Sequence, residues 1–130
     1  MFDINKYIKI PYKSHGRDFD GCDCYGLVRL VLNNEFGKNL PDFWDYTSAD
    51  DGTSVQEILL DNKPLIASEK KESPEIGDVV LFKFHGYTSH MGVYVGNNMI
   101  LHVIKNIDSC CVPIDQGMLK GRIEGYYGIK

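Results

Sequence analysis

Apolar positions follow a helical period in the first third of the chain and a strand period in its second half. Cys24, Leu27, Val28, Val31 and Leu32 fall at i, i+3, i+4, i+7 and i+8, one stripe of a helical wheel, with Arg29, Asn33 and Asn34 elsewhere on it. Asp23 stands where an N-cap belongs and Gly37 where a helix stops, so the pattern predicts a helix that begins at Cys24. From Gly77 onward, residues 78–84, 90–95 and 99–104 read as strands, with Gly96, Asn97 and Asn98 as the tight turn between the last two. Residues 111–114 and 122–129 read as two more strands. A helix followed by an antiparallel meander is an α+β arrangement.

The remaining segments carry turn formers or charge. Residues 1–22, with Pro11, Gly16 and Gly21, read as an irregular lead-in with a helical turn at 4–8. Residues 37–53 read as a long loop in which Phe43, Trp44 and Tyr46 lie as lids over apolar surface or form a docking patch. A short helix at 54–60, an edge strand at 64–67 and a solvated connector at 69–73 complete the reading.

Length and composition narrow the function classes. At about 100 to 200 residues per domain, 130 residues make one domain spanning 1–130. With 43% hydrophobic and 25% charged residues the chain has the means for a packed core and lacks the signature of disorder. A net charge of −4 argues against electrostatic capture of nucleic acid or an anionic membrane. No apolar run approaches the roughly 20 residues of a membrane helix, so no membrane insertion is expected. The N-terminus shows no unbroken apolar stretch of a secretory signal, which points to synthesis in the cytoplasm. In that reducing compartment Cys22, Cys24, Cys110 and Cys111 are expected to be packing or chemistry rather than a disulfide framework.

Cys24 is the position where helix pattern and chemistry coincide. A thiol in a first helical turn feels unpaired N–H groups and the positive end of the helix dipole, which are expected to lower its pKa and to stabilise an oxyanion formed beside it. Gly26 is expected to leave room for a substrate at that helix face. The plain alternative is that Cys24 is a small apolar residue of the core stripe. His90 and His102 share one sheet face if the turn centres near Gly96 or Asn97, so that one imidazole orients the other. A two-residue Asn97-Asn98 turn would put them on opposite faces.

Four motifs resemble one family. Asp23-Cys24-Tyr25-Gly26-Leu27-Val28 resembles the nucleophile motif of the NlpC-type papain-like cysteine peptidases of bacterial cell-wall turnover. Gly77 to Phe82 is similar to their G-D-L-V-F-F strand, Ser89 to Gly96 to their H-V-G-I-Y-V-G motif, and Ile100-Leu101-His102 to their M-I-H-A strand. Pro11-Tyr12 resembles the P-Y upstream of the nucleophile. The resemblance implies a papain-like fold, with the cysteine-bearing helix packed on an antiparallel sheet that carries the histidines. It implies Cys24 as nucleophile, His90 as general base and then acid, and His102 as the group orienting His90. Tyr12 is implied as a hydroxyl near the oxyanion site, against the alternative of an aromatic packed on the helix. The substrate implied is the peptidoglycan stem peptide, cut for example between D-γ-glutamyl and a diamino acid, without metal or cofactor. Tyr25 departs from the family's usual serine and is expected to narrow or reshape the cleft. Gly21-Cys22-Asp23-Cys24 looks most like the phage and prophage tail-associated subgroup, which implies tail or tail-tip proteins as partners and a particle as the carrier to the wall.

Three rival readings stand beside this one. The four cysteines can be set against a metal site, although C-x-C and C-C are awkward chelates. A non-catalytic tail-tip protein could retain the fold, and an acyltransferase would use the same thioester. His15 and His85 are assigned no role.

Overall fold

The computed structural model describes residues 2–42 and 67–129. A 3₁₀ turn at Ile4–Tyr7, capped by Asp3, opens the chain where a helical turn is expected. A two-residue ribbon follows, β1 (Arg17–Asp18) against β2 (Gly21–Cys22), in a segment that composition alone reads as irregular. Helix α1 (Cys24–Glu35) begins at the predicted residue, because the Asp23 side chain accepts the Gly26 N–H and supplies the missing cap.

The sheet comprises β3 (Ala67–Lys71), β4 (Val79–Phe84), β5 (Tyr87–Gly96), β6 (Met99–Ile104), β7 (Ile107–Pro113) and β8 (Ile123–Ile129). They lie in the order β3-β8-β4-β5-β6-β7, and every neighbouring pair is antiparallel. The α+β expectation is met. Strand β7 starts four residues earlier than the pattern suggests; its first two positions are exposed and polar or turn-flanking, and only Ser109 within it is buried. Strand β3 corrects the reading of 69–73 as a solvated connector. Its charged residues form an edge strand on β8, where backbone pairing needs no apolar side chain and lysines suit an edge. Lys71 is anchored at 2.9 Å to Asp78, just before β4. The aromatic patch at Phe43, Trp44 and Tyr46, the helix at 54–60 and all but the last residue of the edge strand expected at 64–67 lie outside the described residues.

Both faces of the sheet are covered. On one, α1 buries Leu27, Val28, Val31 and Leu32 against Val79, Leu81, Met91, Val93 and Leu101. On the other, Val80, Phe82 and Ile100 pack with Ile114 and Leu119 of the segment between β7 and β8. The hairpins β4–β5 and β6–β7 turn at one end of the sheet, and β5–β6 turns at the opposite end.

Candidate active site

Asp23 ties the start of α1 to the lead-in. Its Oδ1 accepts the Gly26 N–H at 2.7 Å and Arg17 Nη1 at 3.1 Å, and its Oδ2 accepts the His15 N–H at 2.8 Å. Arg17 also reaches Asp42 at 2.6 Å and lies over the Tyr25 ring. Gly26 serves this junction rather than a substrate, since a Cβ there would stand 1.9 Å from the Gly16 carbonyl oxygen. The room expected at that helix face is filled by the chain's own backbone. Tyr25 does not line the cleft it was expected to reshape: it is buried, and its hydroxyl donates to the Pro41 carbonyl at 2.5 Å.

The two histidines meet in spite of their turn. Residues Asn97 and Asn98, both with positive φ, form a two-residue turn between Gly96 and Met99, the geometry expected to separate the imidazoles. The register shifts between Tyr94 and Gly96, so that Tyr94 faces Ile100 and Val93 faces Leu101. This bulge absorbs one residue and reverses the parity of every position beyond it. In the shifted register His102 falls opposite Gly92 and diagonal to His90. His90 Nε2 and His102 Nδ1 are 2.9 Å apart, both rings are buried, and Phe82 and Phe84 flank His90.

Cys24, His90 and Tyr12 line one cavity of about 490 Å³ at the end of the sheet where two hairpins turn. Phe84, His85 and Tyr87 come from one hairpin, Ile104 and Lys105 from the other. Tyr12 is bridged to Cys22, packs partly on the helix-side core and borders this cavity. His102 stands behind His90 and borders a second cavity, of about 400 Å³, together with Cys110 and Met118.

Burial governs the protonation of these groups. It pushes the Cys24 thiol up to about 12, with the Asp23 carboxylate adding to the rise, while hydrogen bonds from the backbone of Met91 and Tyr25 pull the other way. The expected depression by the helix end is therefore outweighed by loss of water around the sulfur. Burial likewise pushes His90 down to about 3, with His102 adding to the fall, and His102 to about 4. Burial thus favours the neutral form of the thiol and of both imidazoles.

The sequence profile of the NlpC/P60 family matches residues 9–123, which takes in every residue just described. The chain belongs to the NlpC/P60 family. It is 31% identical over 101 residues to the probable peptidoglycan endopeptidase LytE of Bacillus subtilis, covering 77% of this chain and 25% of that protein. It is 30% identical over 93 residues to the murein DD-endopeptidase MepS/murein LD-carboxypeptidase of Escherichia coli, covering 72% and 42%. This NlpC/P60 chain thus spans less than half the length of these two relatives. The crystal structure of the NlpC/p60 domain of the peptidoglycan hydrolase SagA superposes with a TM-score of 0.66 at 17% identity, covering 95% of this chain and 91% of that one. An NlpC/P60 family protein from Bacillus cereus gives 0.66 at 18%, covering 94% and 36%. These likenesses confirm the helix-on-sheet fold.

Several participants were not singled out in the sequence. Arg17 and Asp42 carry no local signal, because their value lies in meeting Asp23 and Tyr25 through the fold. His85, assigned no role, borders the cavity because the turn at His85 and Gly86, both with positive φ, places it there. All four cysteines are free. Cys22 is buried and donates to the Asp18 carbonyl at 3.1 Å, and Cys110 and Cys111 sit in β7. Among the described residues no group of three or more His, Cys, Asp or Glu side chains is placed to hold a metal ion.

Proposed function

We propose that this NlpC/P60 chain is a cysteine endopeptidase that hydrolyses amide bonds in peptidoglycan stem peptides. The observation that carries the reading is that Cys24 and His90 line one cavity while His102 engages the far nitrogen of His90. With Nε2 committed to His102, His90 has Nδ1 left for the thiol. For Nδ1 to accept a proton, Nε2 must carry one and donate it to His102 Nδ1, so His102 holds its own proton on Nε2. The pair thereby selects the tautomer that a general base requires.

Chemistry then runs through the neutral pair. His90 takes the Cys24 proton as the sulfur attacks the substrate carbonyl, and the N–H groups at the start of α1 stabilise the oxyanion, with the Tyr12 hydroxyl as a further donor. The imidazolium protonates the departing amine, and a water activated by His90 hydrolyses the thioester. Burial that raises Cys24 and lowers His90 makes charge separation unfavourable at rest, so a substrate that brings compensating dipoles is needed for the transfer.

The bond between D-γ-glutamyl and a diamino acid is the finer form of the proposal, supported by the motif resemblance. Delivery to the wall by a phage tail rests on the resemblance of residues 21–29, and detection of the chain in purified particles tests it. The decisive experiment incubates the protein and its Cys24→Ala variant with peptidoglycan and defined stem peptides, and reads new amine and carboxylate ends by mass spectrometry. Cleavage by the parent alone is expected, and cleavage by neither, with the thiol reduced and the fold intact, overturns the reading.

A further inference from the structure

His102 has a side that the catalytic pair leaves unused. The residue is 3% exposed and its Nδ1 meets His90 Nε2, while its Nε2 has no hydrogen-bond partner among the described residues. Every fully enclosed side-chain nitrogen or oxygen among those residues has a partner, so Nε2 is not enclosed and opens onto the cavity of about 400 Å³ that His102 lines. That cavity shares no lining residue with the one at Cys24. Cys110 is the register partner of His102 across β6 and β7, and the 3₁₀ turn at Gly117–Leu119 supplies further wall. Ile107, Val112, Met118 and Leu119 make most of the lining apolar, and Cys110 and the exposed Gln116 add neutral groups only. Among the described residues that border it there is no Asp, Glu, Lys or Arg. A volume within roughly 300 to 1,000 Å³, apolar walls and one buried polar atom turned inward are the marks of a small-molecule site.

We propose that this second cavity binds a neutral, mainly apolar small molecule through one hydrogen-bond acceptor, a ketone or ester oxygen that takes the Nε2 proton of His102. The walls exclude charged ligands, because an ion entering there would lose its hydration and meet no counter-ion. The acceptor half of the proposal rests on the endopeptidase reading above, which places the His102 proton on Nε2; with the proton on Nδ1 the same atom would accept instead. A ligand oxygen seated there holds that proton where the His90 base needs it, so the occupant and the catalytic pair share one imidazole.

Three bicyclic probes of similar size test it, each titrated into the parent protein and followed by NMR at the methyl groups of Ile107, Val112 and Met118. Indanone carries an acceptor, indole a donor, and indene neither. Indanone is expected to bind about two- to tenfold tighter than indene, the worth of one hydrogen bond, with indole no tighter than indene. His102→Phe keeps a ring and removes Nε2, so the indanone preference should vanish while indene binding remains. Met118→Trp, on the exposed rim where the fold is not at stake, should block all three. Equal affinity of indanone and indene for the parent, a preference that survives His102→Phe, or shifts that miss these methyl groups overturn the site. Preference for indole alone overturns the acceptor assignment, and with it the tautomer on which the endopeptidase mechanism depends. Stem peptides left uncut, alongside an indanone preference that His102→Phe removes, count against the endopeptidase reading only and support the site.

Discussion

His90 and His102 share a 2.9 Å contact because a single bulge residue, Val95, cancels the parity of the Asn97-Asn98 turn. Removal of the acceptor should therefore cost turnover rather than binding. His102→Ala is expected to lower kcat on a stem peptide by at least about tenfold with KM little changed, since in the proposed mechanism the lost interaction fixes the tautomer of the base. His102→Gln, whose amide oxygen can accept the Nε2 proton of His90, should recover part of the loss. A structural role alone would move thermal stability in both variants without that recovery in kcat.

Gly92, opposite His102 in the shifted register, leaves the room that the Ile100 side chain fills. A Cβ at this position would lie 2.4 Å from Ile100 Cδ1, 2.6 Å from Ile100 Cγ1 and 2.8 Å from the Leu101 carbonyl oxygen. Gly92→Ala is expected to destabilise the fold by about 1 to 3 kcal/mol through overpacking. Ile100→Val removes the nearest atom, so the double variant should be more stable than the sum of the single losses, by urea denaturation. Strict additivity would show that the methyl group is accommodated elsewhere.

What the sequence discloses and what it withholds follow from the range of each interaction. The start of α1 is legible because Asp23, Cys24 and the apolar stripe are local, and the three central strands are legible because burial on both faces makes them nearly continuous runs of β-formers. The histidine pair is half legible: the residues stand out, but a bulge between Tyr94 and Gly96 leaves no mark in a list of β-formers. Strand β3 is illegible because an edge strand such as Ala67–Lys71 needs only backbone partners. The rise of the Cys24 pKa could not be read either, since a helix start is visible in sequence and the depth of burial is not.

Burial of the titrating groups sets limits on stability at both ends of the pH scale. His90 is held at about 3 and His102 at about 4, whereas unfolded histidine titrates near about 6.5. Between these values the unfolded chain binds more protons, so stability is lost as pH falls through that window. Cys24 is held at about 12 against about 8.5 unfolded, so the folded state binds more protons there and stability falls as pH rises from roughly 8.5 toward 12. Melting temperature is expected to be flat between about pH 6.5 and 8.5 and to drop on each side. His90→Gln should shallow the acid limb and Cys24→Ala the alkaline limb. An acid limb unchanged by His90→Gln would place the lost protons on other groups.

Asp23 combines two structural duties that substitution can separate. Its carboxylate caps α1 at Gly26 and pairs with Arg17, whose side chain is 10% exposed while that of Asp23 is 1% exposed. Loss of a cap costs about 1 to 2 kcal/mol, and a mostly buried ion left short of a partner adds to it, so Asp23→Ala is expected to lose about 2 to 4 kcal/mol. Asp23→Asn keeps an acceptor for the Gly26 N–H but surrenders the charge, and should lose less. In an Arg17→Met background the buried carboxylate has lost this counter-ion and its charge becomes a cost, so the gap between the Asn and Asp proteins should narrow or reverse while the deficit of the Ala protein persists. Because the same carboxylate holds the His15 N–H and thereby the lead-in beyond Tyr12, the Ala protein should also lose activity beyond its loss of folded fraction. Equal stability of the Ala and Asn proteins in the Arg17→Met background, by urea midpoint, would show that α1 starts at Cys24 without help from this cap.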